Sequence, residues 1–193
     1  YEAPTPGRPK CERGKEYHNN CNYDYTGEMF KHFYFNMKQS GITKDNWKPR
    51  NLNAKKTLVR FDQREFADES SGLFKFGHLF IPDQCTKSKK CHLLVFFHAC
   101  QGPNTYETIL ETGLNLYAET NGVIVLAPIT VKCWNTHTQL KQYKGIPYPG
   151  EKDLSETLRA EKNFATKKGP QPAAVMKMIE RLLGKNFGGL EDY

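Results

Sequence analysis

The sequence lacks the marks of several large protein classes. The apolar run at residues 93–97 has five residues and is too short to cross a membrane. No CxxC pair is present, so the usual zinc spacing is absent. There is also no signal peptide, internal repeat or Asn-x-Ser/Thr sequon. We therefore expect a mature or proteolytically cut product without a membrane span and without a bound metal.

The positive charge of the chain does not form a nucleic-acid motif. The net charge is +7, but the basic residues are scattered, with short clusters at 87–90 and 167–168. No zinc finger, recognition helix or aromatic RNA-binding signature accompanies them. A solvated basic surface is the better interpretation, and binding to anionic polymers rests on charge alone.

Six cysteines predict a disulfide framework and hence a secreted, extracellular protein. Fifteen pairings are possible, and sequence proximity favours Cys11–Cys21 and Cys85–Cys91. The alternative is six reduced cysteines in a cytosolic core, which the even count and the missing metal spacing disfavour.

Residues 92–103 are the stretch around which the chain is organised. The bias of residues 93–97 toward β-branched and aromatic types predicts a strand buried on both faces. A polar turn follows, and Asn104 and Glu107 then mark the start of a helix over 105–120 that ends at Gly122. Residues 123–127 are the next buried strand, parallel to the first through a right-handed crossover. Ligands collect at the carboxyl ends of such strands, so we expect the site in this turn.

The remaining segments complete a single domain. Residues 1–22 are predicted to form an irregular arm, and a helix follows over 24–39. Two strands, at 57–61 and 73–81, are expected to pair. Residues 130–165 predict a long loop over the strand ends, and Pro172 opens a last helix.

Several motifs resemble those of one family. The turn His98-Ala-Cys-Gln-Gly102 resembles the His-Gly-Cys-x-Gln segment of secreted poly(3-hydroxybutyrate) depolymerases and related esterases. These are α/β-hydrolases, and in one branch the chain is circularly permuted. Further segments that match in that branch's order are 20–24, 61–66, 77–82 with Cys85, 122–128, 133–134 and 168–171. Together they cover most of residues 20–184.

The resemblance implies an α/β fold class, with part of an α/β-hydrolase-like sheet, flanking helices and stabilising disulfides. Residues 23–193 would be the C-terminal portion of that domain, and 1–22 the disulfide-bonded arm. It also implies a Cys100–Cys133 bond that ties the turn to the loop after the next strand. Two parallel strands with a flanking pair would leave a long open sheet edge. Either another chain completes the sheet or this chain covers the edge itself, and we expect another chain.

The nucleophile expected of this family is missing. Its serine lies in a Gly-x-Ser-x-Gly elbow, and no such motif occurs here. In the permuted order, the serine and aspartate would precede the region that this chain matches. Tyr1-Glu-Ala-Pro-Thr5 resembles the His-x-x-Pro-Thr segment that carries the family's catalytic histidine, and in that register Tyr1 occupies the histidine position. A phenol cannot replace imidazole as a general base at neutral pH.

What remains is the oxyanion element and part of a binding crevice. The resemblance implies that the backbone N–H of Cys100 is an oxyanion donor, with Ala99 in place of the family's glycine. Trp134, His137 and Gln101 are the predicted substrate-binding residues. His98 is predicted to be a structural, hydrogen-bonded histidine. No cofactor or metal is predicted.

Two functional hypotheses follow. In the first, the chain is the C-terminal chain of a secreted depolymerase-like protein, is non-catalytic by itself and serves in binding or structure. In the second, it is the oxyanion-bearing chain of a proteolytically split serine esterase that acts on hydroxyalkanoate-type esters. In the second hypothesis, an N-terminal chain of the same precursor supplies Ser and Asp.

Overall fold

A computed structural model describes most of the chain, and we number its helices and strands in chain order. The described residues are 23–38, 40–54, 58–67, 71–85, 91–99, 105–130, 133–134 and 166–184. The elements are α1 (Tyr25–Phe35), β1 (Val59–Asp62), a 3₁₀ helix (Gln63–Glu65), β2 (Phe76–Phe80), β3 (His92–Val95), α2 (Thr105–Glu111), α3 (Leu114–Asn121), β4 (Val123–Ala127) and α4 (Pro170–Leu183). The predicted arm, 1–22, lies outside the described residues.

The four strands form one mixed sheet in the order β1-β2-β4-β3. β3 pairs with β4 in parallel, with His92 opposite Val123 and Val95 opposite Leu126. The parallel pairing predicted for these two strands is therefore confirmed, as is the pairing of β1 with β2. In the structure β2 lies beside β4, so β4 is an interior strand. The sequence did not indicate this neighbour.

The burial of β3 differs from the prediction. Every residue of β4 is buried, whereas all four residues of β3 are only half-buried. The prediction of a strand buried on both faces is thus wrong for β3. The physical reason is its position, because β3 ends the strand order and β4 has a neighbour on each side.

The chain divides into two compact units, which are described separately. The first contains α1, β3, α2, α3 and most of β4. In it, the carboxylate of Asp24 accepts the Gly27 N–H at 2.8 Å and so caps α1. The same carboxylate accepts the Tyr117 hydroxyl, and the Tyr117 ring stacks on Trp47 at 5.5 Å. These contacts join the start of α1 to α3.

The predicted helix over 105–120 is divided in two within this unit. Gly113 has a φ of 72°, and α2 ends before it while α3 begins after it. A left-handed residue interrupts the helical backbone, and glycine adopts it without a Cβ clash. The predicted end at Gly122 is confirmed, with a φ of 65°.

The second unit contains most of β1, the start of β2 and helix α4. α4 begins at Pro170, two residues before the predicted start, with proline in its first turn. Its buried face consists of Gln171, Ala174, Val175, Met178 and Leu182. Arg181 lies 5.9 Å from the Phe66 ring and 3.5 Å from the carboxylate of Glu65.

A disulfide joins Cys85 and Cys91, with their Cα atoms 5.8 Å apart, as predicted. Cys133 is also disulfide-bonded, and its partner lies outside the described residues. The predicted Cys11–Cys21 pair lies outside them as well. Among the described helices, none is both long enough and apolar enough to cross a bilayer.

Candidate active site turn

The candidate site lies where the chain leaves β3 and β4. Residues 96–99 follow β3 and residues 128–130 follow β4, all within the second unit. Parallel strands place their carboxyl ends on the same edge of a sheet. The first polar side chains after the two apolar runs are His98 and Thr130.

His98 is buried and hydrogen-bonded through both ring nitrogens. Its Nε2 accepts the Thr130 backbone N–H at 2.9 Å and lies 3.2 Å from the Thr130 hydroxyl oxygen. Its Nδ1 contacts the carbonyl oxygen of Ala99. Since Nε2 accepts a backbone N–H, the ring proton resides on Nδ1 and is donated to Ala99. This geometry agrees with the structural role predicted for His98.

The surroundings of His98 keep its ring neutral. Burial lowers the pKa of the imidazole below its ordinary value, and the bond to the Ala99 carbonyl opposes this only in part. Protonation at Nε2 would also place a second N–H against the Thr130 amide. A neutral imidazole of fixed tautomer is therefore the ground state of this turn.

The bond from His98 to Ala99 acts on the peptide group that follows. The Ala99 carbonyl and the N–H of residue 100 belong to one planar peptide, in which they point in opposite directions. A donor that fixes the carbonyl therefore restricts the direction of that N–H. Cys100, the predicted oxyanion donor, itself lies outside the described residues.

Trp134 brings an aromatic surface to the same turn. Its ring meets Phe97 edge to face at 4.8 Å and lies 5.6 Å from the His98 ring. Phe97 is 53% exposed. The buried indole N–H of Trp134 has no hydrogen-bond partner among the residues that the structure describes. The exposed aromatic surface suits a ligand that carries methyl groups.

The structure places only some of the predicted site residues. Trp134 lies beside His98 as described above. Cys100, Gln101 and His137 lie outside the described residues, and so does Tyr1. Sequence reasoning did not identify Phe97 or Thr130 as site residues. Phe97 was placed inside the predicted strand, and the available signal for Thr130 was its position just beyond an apolar strand.

The described ranges hold no cluster of three or more His, Cys, Asp or Glu side chains that could bind a metal ion. The chemistry of the turn, as far as the structure describes it, rests on hydrogen-bond donors and aromatic rings.

Comparison with known proteins agrees with the motifs. The poly(3-hydroxybutyrate) depolymerase of Delftia acidovorans is 26% identical over 188 residues, which are 91% of this chain and 32% of that protein. The polyhydroxybutyrate depolymerase of Talaromyces funiculosus is 29% identical over 132 residues, 63% of this chain and 34% of that protein. This chain is similar to the poly(3-hydroxybutyrate) depolymerases. No protein-family model matches the chain.

Solved PHB depolymerases share the fold. The enzyme from Penicillium funiculosum superposes with a TM-score of 0.60 at 23% identity, over 90% of this chain and 52% of that one. A PHB depolymerase variant solved with an R3HB trimer gives a TM-score of 0.58 over 91% of this chain and 53% of that one. The predicted depolymerase-like α/β fold is therefore confirmed. The chain spans about a third of the length of the curated relatives and about half of the solved chains.

Proposed function

We propose that this chain forms the oxyanion side of a secreted depolymerase-like fold, binds hydroxyalkanoate esters at the turn and does not hydrolyse them by itself. The observation that carries the proposal is the His98 turn, where two hydrogen bonds fix an imidazole against the Ala99 carbonyl beside the Trp134 ring. None of the sequence's five serines lies in a Gly-x-Ser-x-Gly elbow. A binding surface without a nucleophile is what these residues supply.

In this proposal, the ester carbonyl oxygen accepts a hydrogen bond from the backbone N–H of Cys100, and the Trp134 ring forms part of the binding surface. Gln101 and His137 belong to the same binding set. Three-carbon repeat units with methyl branches fit the exposed Phe97 ring, since aromatic surfaces contact such groups without strict orientation. The disulfides support the proposed extracellular location.

The open side of β3 supports a completing segment. β3 ends the strand order of the described sheet, and Phe97 just beyond it leaves more than half of its surface exposed. A half-exposed apolar edge is a recognised site for adding a strand. We propose that this segment comes from an N-terminal chain of the same precursor.

The second candidate function is the split esterase. Its specific support is the intact His98–Thr130 arrangement, because the direction of the following peptide matters most where an oxyanion develops. In that case the completing segment carries the nucleophile, and hydrolysis appears only when both are present.

Tryptophan fluorescence tests binding directly, because the chain has two tryptophans. Trp47 stacks on Tyr117 and Trp134 contacts Phe97. In the W47F variant, titration with an (R)-3-hydroxybutyrate trimer is expected to change the emission of Trp134 with saturation. The matched W134F variant retains only Trp47 and should show no change. Equal responses in both variants, or none in either, would contradict binding at the turn.

Two further measurements separate the candidates. Chromatography of the trimer incubated with the 193-residue chain should show no cleavage, and cleavage would overturn the non-catalytic proposal. Intact mass of the natively purified protein, before and after reduction, shows whether a second chain is present. A companion with a Gly-x-Ser-x-Gly elbow would favour the split esterase, whereas a lone 22.2 kDa species favours the binding function.

A further inference from the structure

Gln63 is a buried polar side chain close to the candidate site. It is 1% exposed. Its Nε2 donates to the carbonyl oxygens of Phe74 at 2.6 Å and Ile129 at 2.9 Å, and its Oε1 accepts the Ile129 N–H at 2.9 Å. The side-chain amide thus pairs with both backbone groups of Ile129, as a neighbouring strand would.

The fold leaves room for this amide. A Cβ on Gly77 would lie 2.8 Å from the Gln63 Oε1 and 2.7 Å from the Phe61 ring. Any larger residue at position 77 would therefore displace the glutamine. The main chain of Gln63 is fixed as well, because its N–H donates to the Lys75 carbonyl at 2.9 Å.

Gln63 holds the backbone of Ile129, and the next residue, Thr130, bonds the His98 imidazole. Thr130 comes after Ile129, and its N–H donates to the His98 Nε2. His98 in turn donates to the Ala99 carbonyl. An unbroken series of short contacts therefore runs from Gln63 to the peptide that the proposed function uses.

We propose that Gln63 is a positioning residue for the candidate site: its amide sets the backbone at Ile129, and through Thr130 it sets His98 and the Ala99 peptide. The inference rests on the proposed function only for the use of that peptide. The positioning itself is a property of the protein without ligand. Gln63 touches no substrate in this account.

The test is Gln63→Glu, which keeps the size of the side chain and the acceptor for the Ile129 N–H. It replaces two donated hydrogen bonds with at most one, because a protonated carboxyl has a single proton to donate and an ionised one has none. The control is Gln84→Glu, the same change at an amide that donates to the Glu119 carbonyl at 2.6 Å, in the first unit. The readouts are the ¹⁵N shifts of the His98 ring and amide hydrogen exchange at Thr130.

In Gln63→Glu we expect the His98 ring to depart from the fixed Nδ1–H tautomer. We also expect Thr130 exchange to accelerate by about tenfold beyond any global change, the scale of one lost buried hydrogen bond. Gln84→Glu should leave both signals unchanged. A destabilised Gln63→Glu protein with unaltered His98 and Thr130 signals would overturn the proposal and leave Gln63 as a structural residue. Neither readout requires ligand, so failure of the trimer to bind would count against the proposed function alone.

If Gln63→Glu does not fold, the unsubstituted protein supplies the test. Hydrogen exchange at increasing denaturant should give Ile129 and Thr130 the same opening behaviour, because in the proposal the Thr130–His98 bond depends on the Ile129 backbone that the Gln63 amide holds. Thr130 exchanging freely while Ile129 stays protected would refute the coupling.

Discussion

β3 and β4 both lie in apolar runs of the sequence but are buried to different extents. Residues 93–97 and 123–127 are both uninterrupted apolar runs, yet β4 is fully buried and β3 is only half-buried. The difference arises from strand order, since β4 lies between β2 and β3. An apolar run therefore indicates that a strand can be buried, whereas its neighbours determine whether it is.

The hydrogen bonds of β3 define the edge with which no other described strand pairs, called its open side below. The His92 N–H donates to the Gly122 carbonyl at 2.9 Å, so His92 faces β4. In a parallel ladder, alternate residues direct both backbone groups to the same neighbour, which places Leu93 and Val95 toward the open side. The Tyr34 hydroxyl lies 3.4 Å from the Leu93 carbonyl oxygen and covers part of that edge.

The largest expected contrast is between L126A in β4 and L94A in β3. Leu126 is 1% exposed, so its truncation should lower the free energy of unfolding by about 3–4 kcal/mol through lost burial and a cavity. Leu94 is only half-buried, so its truncation should cost less, about 1 kcal/mol. Urea denaturation of both variants measures the difference.

The destabilisation caused by L94A and L126A can be measured again once a completing segment is found. In the completed protein, L94A should become more destabilising, and L126A should change little. Equal costs for the two variants in the 193-residue chain would show that β3 is already covered.

Amide exchange tests the open edge residue by residue. The Leu94 N–H faces β4 and should be protected, whereas those of Leu93 and Val95 should exchange about 100-fold faster. Hydrogen exchange followed by NMR distinguishes them. Uniform protection along β3 would mean that another strand already pairs with it.

Much of the fold could be predicted from local patterns. The paired strands, the parallel crossover over 92–127 and the helix end at Gly122 all followed from periodicity and turn residues. The break at Gly113 could not, because glycine inside a helical pattern is compatible with either a continuous or a divided helix. The burial of β3 could not either, since it depends on β2 joining β4 across a large sequence separation.

The site was predictable in place but not in detail. Its position beyond β3 and the structural role of His98 followed from the strand and the family resemblance. Thr130 and Gln63 could not be assigned, because a polar residue after a strand has many possible partners. Their hydrogen-bond partners depend on which backbone groups the fold brings close. Examples are the 2.9 Å bonds at Ile129 and Thr130.

The smallest expected effect concerns the acid sensitivity of the turn after β3, where His98 accepts the Thr130 N–H. The pKa of His98 is lowered by burial, so the unfolded chain binds a proton at a higher pH than the folded protein does. The stability that neutral His98 contributes is therefore complete above about pH 6.5 and declines as the pH falls below it.

The H98Q variant cannot take up this proton. Urea denaturation at pH 7.5 and pH 5 should show a larger loss for the unsubstituted protein than for H98Q, with a difference below the cost of L94A. Equal losses would mean that His98 titrates normally in the folded state, and that the Thr130 N–H does not hold its ring neutral.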